Sequence, residues 1–410
     1  MAFIADFHIH SKYSRATSKE MDIASLAKWA KIKGISMLGT GDFTHPVWLS
    51  ELKTKLEETE YGVYRYENIS FILTAEVSNI YFKAGRTRKV HNIIFTPDFK
   101  TACEINKVLA DYGDLSSDGR PIVSLECNRM VKALSSVSPD IMCVPGHAWT
   151  PHFSVFGSNS GFDSPEECFE AETPKIFSIE TGLSSDPPMN WRWSKLDRFC
   201  LISNSDSHSP SKIGREANVF KDAVNYKDLI QILKTKDKSR FLYTIEFFPE
   251  EGKYHWDGHR ICKARLSPKE AMGINNMCPV CGKKVTIGVM HRLEKLADRP
   301  EGYILESSPS FKSIVPLAEI IGDALSLSPD SMTVEKEYFQ LIKALGSEFA
   351  ILLDMGEKEL KDKCPPKIAK GIMNVRQGNV EIAPGYDGEY GKVKIFKKGE
   401  ETSDKQLSFF

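Results

Sequence analysis

Over roughly its first 246 residues the chain alternates short apolar runs with stretches in which apolar residues recur at helical spacing. The runs are "AFIADFH", "ISMLGTGDF", "ISFILTAEVS", "VHNIIFTP", "DIMCVPGHAW", "KIFSIETG" and "RFCLISNSDSH", and each ends in polar or glycine residues. Between the first two lies "SKEMDIASLAKWAKIKG", where Ile23, Leu26, Ala27 and Ala30 share one helical face; Ser18 is a candidate N-cap and Gly34 the stop. Strands alternating with helices imply βαβ units and a parallel sheet. So many in one domain point to a closed or nearly closed barrel. The texture changes at residue 247. Residues 247–299 are compact and rich in His and Cys, with ten Lys/Arg against five Asp/Glu between 251 and 300. Residues 300–400 carry amphipathic helical patterns, "VPLAEIIGDALSL", "VEKEYFQLIKALGSEFAILLD" and "PPKIAKGIMNVRQG", then a β-like "KVKIF"; residues 401–410 form a polar tail. The reading is therefore an α/β domain over 1–246, a small module over 247–299, a mainly helical domain over 300–400 and the tail.

Composition narrows the setting. The net charge of −1 over 410 residues provides no global field toward nucleic acid or membrane, so a polyanion site has to be a local patch. No stretch approaches 18 uncharged apolar residues, and "MAFIADFHIH" lacks the basic region and long apolar core of a signal peptide. No membrane association is expected. Five of the nine cysteines (Cys103, Cys127, Cys143, Cys168, Cys200) lie singly in apolar context, which reads as reduced, buried thiols of a cytoplasmic protein.

The chemistry lies where the strands end. His8 and His10 close the first run and, two apart on a strand, face the same way. "GTGDF" carries Asp42, "LTAEVS" Glu76, "VHNIIF" His91, "VPGHAW" His147, and "SNSDSH" Asp206 and His208. In a barrel these ends converge on one face. Imidazoles and carboxylates gathered there are costly to bury unless cations relieve them, and such donors suit zinc, manganese or iron. A carboxylate such as Glu76 can bridge two ions about 3.5–4 Å apart, and a hydroxide between them is a nucleophile at neutral pH. Phosphate and carbonyl esters are both within reach of that chemistry.

"FHIHSKYS", "AEVSNIYF", "VHNIIF", "PGHAW" and "SNSDSH" resemble, in order, the motifs of the PHP (polymerase and histidinol phosphatase) superfamily. The resemblance implies a metal-dependent phosphoesterase on a distorted (βα)7 barrel. It implies that His8, His10, Glu76 and Asp206 hold one ion and carry catalysis, and that Glu76, His91 and His147 hold a second. The family's third site uses histidines where this chain has Arg15, Ala16 and Phe43; there the resemblance leaves Asp42 and His208, with His45 nearby, for a weaker or water-completed ion.

In the second module His259-x2-Cys262 and Cys278-x2-Cys281 are separated by 15 residues, the spacing of a tetrahedral structural zinc site. His255 and His291 are alternatives to His259 as the fourth ligand. Arg260, Lys263, Arg265, Lys283, Lys284 and Arg292 around it form a basic surface able to follow a phosphate backbone. With the PHP motifs, the stretches "KYHWDGHRIC", "CPVCGKKVTIGVMHRLEKLADRP" and "APGYDGEYGKVKIF" resemble the endonuclease Q family. That resemblance implies a repair endonuclease cutting DNA 5′ to deaminated bases (hypoxanthine, uracil, xanthine) and abasic sites. It implies two or three active-site Zn2+ and one structural Zn2+, with Mg2+ or Mn2+ as alternatives for activity. Extrusion of the lesion beside the metals would cost little at a weak pair. Substrate-binding candidates are Ser78, Asn79, Trp149, Thr150, Phe153 and Arg192. The competing reading is a small-molecule phosphoesterase of sugar or histidinol phosphatase type. Finally, "KQLSFF" resembles a shortened sliding-clamp-binding peptide.

Overall fold

The computed structural model of the chain describes residues 3–396; the "KQLSFF" tail lies outside them. The first half is a mixed α/β assembly. In chain order it comprises β1 (Phe3–Asp6), α1 (Ile23–Lys33), β2 (Met37–Gly39), α2 (Pro46–Lys55), β3 (Glu57–Glu60), β4 (Val63–Tyr66), β5 (Ile69–Lys83), β6 (Arg86–Thr96), α3 (Phe99–Ala110), β7 (Ile122–Val123), α4 (Cys127–Val137), β8 (Met142–Pro145), α5 (Pro165–Phe169), β9 (Ser178–Glu180), α6 (Pro187–Trp191), β10 (Cys200–Ile202), β11 (Ala217–Phe220), α7 (Tyr226–Thr235) and β12 (Phe241–Glu246). Helix α1 ends at Gly34 as expected, with φ 87°. It begins later than Ser18, because the Asp22 side chain caps it by accepting from Ser25 N–H while the Ser18 N–H donates to the His208 carbonyl.

The strand pairing departs from an all-parallel barrel. β1–β2 and β2–β5 are parallel, but β5 and β6 form a long antiparallel hairpin, paired from Leu73–Thr96 to Lys83–Arg86. The two strands run well past the apolar runs seen in the sequence because Ala84 (φ 52°) and Gly85 (φ 78°) make a tight hairpin turn. β8 adds antiparallel to β6, and β11 and β12 extend the other edge antiparallel from β1. β9 and β10 pair in parallel with each other, outside the main ladder. They close against it at two points: Ala148 N–H donates to the Glu180 carbonyl at 3.1 Å, and Ile9 bridges Ser207 in parallel. The ends of β1, β2, β8, β9 and β10 and the middles of β5 and β6 thus face a common cleft. Phe7, Phe95, Ile72, Ile93, Val144 and Ile202 fill the interior beneath it, all nearly inaccessible.

Beyond β12 come β13 (Asp257–His259), β14 (Ala264–Leu266), α8 (Pro268–Gly273) and α9 (Val289–Leu296). The buried apolar cluster of this module is only Ala264, Ala271, Cys278 and Val285. So small a core needs another source of stability. Residues 300–316 do not belong to the helical part as expected: β15 (Ser310–Ser313) joins the large sheet beside β12, in parallel. The helices follow as α10 (Leu317–Leu325), α11 (Met332–Leu345), α12 (Glu357–Lys363) and α13 (Pro366–Arg376), then the hairpin β16 (Glu381–Ala383) and β17 (Lys392–Lys394). That hairpin's connection packs on the Cys-rich module: Asp387 accepts from Arg260 N–H at 2.7 Å and from the Thr286 hydroxyl at 2.5 Å. Among the described residues no helix is long and apolar enough to cross a membrane.

The helical part is locked to the first half by one buried ion pair. Lys33 Nζ on α1 lies 2.6 Å from Glu348 Oε2, which also accepts from the Tyr338 hydroxyl at 2.6 Å; Oε1 accepts from Leu317 N–H at 3.0 Å. Removing the cation alone leaves a buried carboxylate uncompensated. Lys33→Met should therefore cost about 3–5 kcal/mol in urea denaturation, and Lys33→Met/Glu348→Gln should recover part of that loss.

Candidate metal centre

Everything at the cleft converges on the carboxylate of Glu76, fully buried in the middle of β5. Its two oxygens serve different partners. Oε1 lies 2.7 Å from His91 Nδ1 and 3.1 Å from His147 Nε2. Oε2 lies 3.5 Å from His8 Nε2, 3.3 Å from His10 Nε2 and 3.2 Å from Arg120 Nη1. Asp206 Oδ1 completes the second group, 2.9 Å from His10 Nε2 and 3.6 Å from His8 Nε2. The structure thus brings together His8, His10, Glu76 and Asp206, and, through the shared Glu76, His91 and His147, with ligand atoms in each group within 4.8 Å of one another. His8 Nε2 is buried with no hydrogen-bond partner, and His91 Nδ1 and His147 Nε2 face each other at 3.1 Å. Such an arrangement of lone pairs fits a divalent cation in each group.

Outer partners aim the rings. His8 Nδ1 meets both oxygens of Glu180 at 3.0 and 3.1 Å, His10 Nδ1 meets Asp42 Oδ1 at 3.1 Å, and His147 Nδ1 meets the Thr150 hydroxyl at 3.0 Å. Each leaves Nε2 pointing into the cleft, the usual way ligand imidazoles are held. Burial opposes charge on His8 and His10, yet Glu180, Glu76 and Asp206 around the one and Asp42 beside the other hold both rings well above the ordinary imidazole range. Burial wins at His91 and pushes it down to about 4. Burial would also raise Glu76, but the imidazoles of His91 and His8 hold it well below the usual carboxylate range. The backbone is forced here as well: His147 (φ 29°), Asp42 (φ 50°) and Asp206 (φ 48°) occupy the left-handed region. Gly182 makes room for the first of these, since a Cβ there would lie 2.6 Å from that of His147.

Several expected residues fall elsewhere. Asp42 is spent on hydrogen bonds: Oδ2 accepts from Ser11 N–H and Oγ, each at 2.6 Å, and from Ser14 Oγ at 2.9 Å. It orients His10 rather than joining a third ligand group. His208 turns Nδ1 to the Asp206 carbonyl at 2.8 Å and packs its ring on His10, and His45 caps α2. Trp149 is buried among Phe156 and Trp193, its Nε1–H donating to Asn190 at 2.8 Å, so it has no face to offer a ligand. Asn79 is consumed by the Leu125 carbonyl and by Asn92, and Arg192 by Glu294 at 2.7 Å on α9. Ser78 is buried beside His91, its hydroxyl without a partner. Thr150 and Phe153 do reach the cleft, the latter with its ring 4.9 Å from that of His91.

In the small module His259, Cys262, Cys278 and Cys281 come together, with Cys281 Sγ 3.4 Å from His259 Nδ1. Burial would raise the Cys278 thiol, but backbone N–H groups of Cys281 and Val280 bring it down to about 6, whereas the hydrogen bond to Cys281 pushes Cys262 up to about 11. His291 is instead taken by Asp257 at 2.6 Å, and His255 is buried away from the tetrad. Arg260, Lys263, Arg265, Lys283 and Lys284 are exposed, but Arg292 is not part of that surface: it is buried against the Phe156 and Phe162 carbonyls and Asp163.

Two participants escaped the sequence reading. Glu180 lies in "KIFSIETG" and closes β9, so the strand-end signal was present. Arg120 sits in the loop before β7, and its sequence context gave no indication. Behind Glu180 lies a further layer of buried acids. Burial, with Glu246 and Glu180 nearby, raises Glu216 well above the carboxylate range; burial, then the neighbouring Asp186 carboxyl, pushes Glu246 up to about 8.

A carboxylate shared by two imidazole-rich groups at the end of a mixed sheet, joined to a Cys3His module, is the architecture of a metal-dependent hydrolase. The comparisons are more specific. Over 99% of its length the chain superposes on the lesion-specific endonuclease PfuEndoQ from Pyrococcus furiosus with a TM-score of 0.88 and 29% identity, covering 98% of that chain. It also superposes on Endonuclease Q in complex with a 27-mer duplex substrate bearing an abasic lesion at the active site, with a TM-score of 0.86 and 29% identity, 99% of each chain being covered. The resemblance read from the motifs therefore extends to the whole fold. Residues 316–379 match the MJ0043 C-terminal domain family. The uncharacterized protein YqxK of Bacillus subtilis (strain 168) is 29% identical over 409 residues, 95% of this chain and 98% of its own. The uncharacterized protein MJ0043 of Methanocaldococcus jannaschii is 32% identical over 256 residues, 61% of this chain but only 31% of that protein.

Two outcomes follow from this geometry. Cys278→Ser should release one equivalent of metal in elemental analysis and lower the thermal stability of the full chain. For the buried acids the sign is fixed: a carboxyl whose folded pKa is raised to about 8 makes the folded state bind a proton that the unfolded chain has lost, so its contribution to stability falls as pH rises from the unfolded value of 4.5 toward 8. Glu246→Gln, neutral at every pH, should gain stability relative to the parent across that window, measured as a difference in melting temperature, and level off above it.

Proposed function

We propose that this protein is a metal-dependent DNA repair endonuclease that cuts duplex DNA at abasic sites and 5′ to deaminated bases such as hypoxanthine, uracil and xanthine. The observation that carries the reading is Glu76, whose two oxygens serve two separate imidazole groups in a chain that follows the endonuclease Q fold from end to end. The circuit of strands around the cleft reads as a distorted (βα)7 barrel of PHP type spanning 1–246. The tetrad reads as a structural Zn2+ site in a module spanning 247–299. Zn2+ suits both centres, with Mg2+ or Mn2+ as alternatives in the cleft. The cytoplasm is the expected compartment. The small-molecule phosphatase reading is not favoured, because the likeness to endonuclease Q extends through the module and the helical part, which a small substrate does not need.

His8, His10, Asp206 and Glu76 would hold one ion, and His91, His147 and the other oxygen of Glu76 the second. Bound there, two divalent ions make a water nucleophilic at neutral pH and neutralise charge developing on a phosphoryl oxygen. Glu180, Asp42 and Thr150 keep the imidazoles aimed, so little reorganisation is left for the reaction itself. Phe153 offers a ring beside His91 on which an extruded base can stack. The exposed cations Arg260, Lys263, Arg265, Lys283 and Lys284 suit the duplex backbone.

The test is a nicking assay with the full chain and Mn2+, Mg2+ or Zn2+ on labelled duplexes carrying one abasic site, one hypoxanthine, one uracil or no lesion. The expected product is a single nick on the 5′ side of the lesion, abolished by Asp206→Ala with DNA binding retained. Nicking in none of the metals, or phosphate release from a small monoester without nicking, would overturn the proposal.

A further inference from the structure

Arg120 stands at the cleft with a role the ligand groups do not explain. Its Nη1 lies 3.2 Å from Glu76 Oε2, the same oxygen that faces His10 Nε2 at 3.3 Å and His8 Nε2 at 3.5 Å. The loop that carries it is pinned on both sides. Gly119 N–H donates to the Tyr13 carbonyl at 3.1 Å, the Gly119 carbonyl accepts from the Thr44 hydroxyl at 3.2 Å, Arg120 N–H donates to Asp118 Oδ1 at 3.1 Å, and the Pro121 carbonyl accepts from Ser78 N–H at 2.9 Å. A Cβ at Gly119 would come within 2.3 Å of Asp42 Oδ2, so this backbone lies directly against the site. The long side chain is the movable part, and it is 26% exposed.

A cation in the first ligand group and the Arg120 guanidinium would compete for the same carboxylate oxygen. An ion held by His8, His10, Glu76 and Asp206 needs the oxygen that the guanidinium engages, and like charges at that distance repel. Resting on the function proposed above, we infer that Arg120 is one of the counter-cations of Glu76 in the metal-free site and becomes a substrate-binding catalytic residue once metal loads. Released from Glu76, its fork remains tethered at the cleft and grips a non-bridging oxygen of the scissile phosphodiester. A guanidinium suits that task, being planar, permanently charged and able to donate two parallel hydrogen bonds to phosphate. Metal loading and phosphate capture are thereby coupled: the group that leaves the ligand is the group that receives the substrate.

The coupling predicts effects of opposite sign from one substitution. In Arg120→Ala, Mn2+ should bind the metal-free full chain more tightly, by about tenfold in calorimetric titration. At saturating Mn2+ the same variant should cleave an abasic-site duplex about a hundredfold more slowly, with partial rescue by added guanidinium ion. Arg120→Lys keeps the charge and loses the fork, so it should bind Mn2+ much as the parent does, cleave slowly and show no rescue; it also serves if the alanine variant fails to fold by circular dichroism. Unchanged Mn2+ affinity, or parental cleavage, in a folded Arg120→Ala overturns the inference. A parent chain that neither binds Mn2+ nor nicks DNA refutes instead the function on which it rests.

Discussion

The first half of the molecule is organised around the burial of one carboxylate. Glu76 lies deep in the structure, and burial of a charge is tolerated only where partners surround it. Four imidazoles and a guanidinium do so, drawn from the residues just after β1 and β8, from the middle of β6 and from the loop before β7. Three of the imidazoles are themselves anchored: His8 by Glu180, His10 by Asp42, His147 by Thr150. The result is a nested arrangement in which strand placement, ring orientation and backbone strain at His147 and Asp206 all serve a single group. Its two oxygens point to two different neighbourhoods, each a candidate ligand group for one cation.

Much of this could be read from the order of residues, because the signal was local. An apolar run that stops at a histidine or carboxylate marks a strand end, and parallel neighbours carry such ends to one face. That logic located His8, His10, His147 and Asp206, and ligand spacing located the Cys3His tetrad; Glu76 and His91 join the groups although they lie in the middle of β5 and β6 and not at strand ends. It failed where the deciding contact is distant. Asp42 ends a strand as the others do, but Ser11 and Ser14 occupy its second oxygen, which no pattern announces. Trp149 adjoins His147 in sequence and yet points the other way, into an aromatic cluster. Arg120 reaches Glu76 across 44 residues of chain. The parallel barrel expectation failed for a related reason: β5 and β6 each look like a lone strand, and only their short turn makes them an antiparallel pair.

The later parts of the chain are built on a different principle. The Cys-rich module has too little apolar material to hold itself together and relies on ligand geometry and on neighbours. Arg292 and Arg192, which read as phosphate contacts in the sequence, clasp it to the first half through backbone carbonyls and Glu294. The helical part is held by the Lys33–Glu348 pair and by β15 returning to the large sheet. Cations at these positions are structural cement, whereas Arg260, Lys263, Arg265, Lys283 and Lys284 remain exposed.

The hairpin that ends the described chain has a bearing on the order of synthesis. Asp387 receives the backbone of Arg260, 127 residues upstream, beside the ligand His259. On the ribosome the first domain can consolidate early, as amino-terminal units generally do. The Cys-rich module cannot be finished then, because its last hydrogen-bond partners have not yet been translated. A nascent chain would thus complete its cleft before the Cys-rich module, and acquire the latter only after Asp387 has been added.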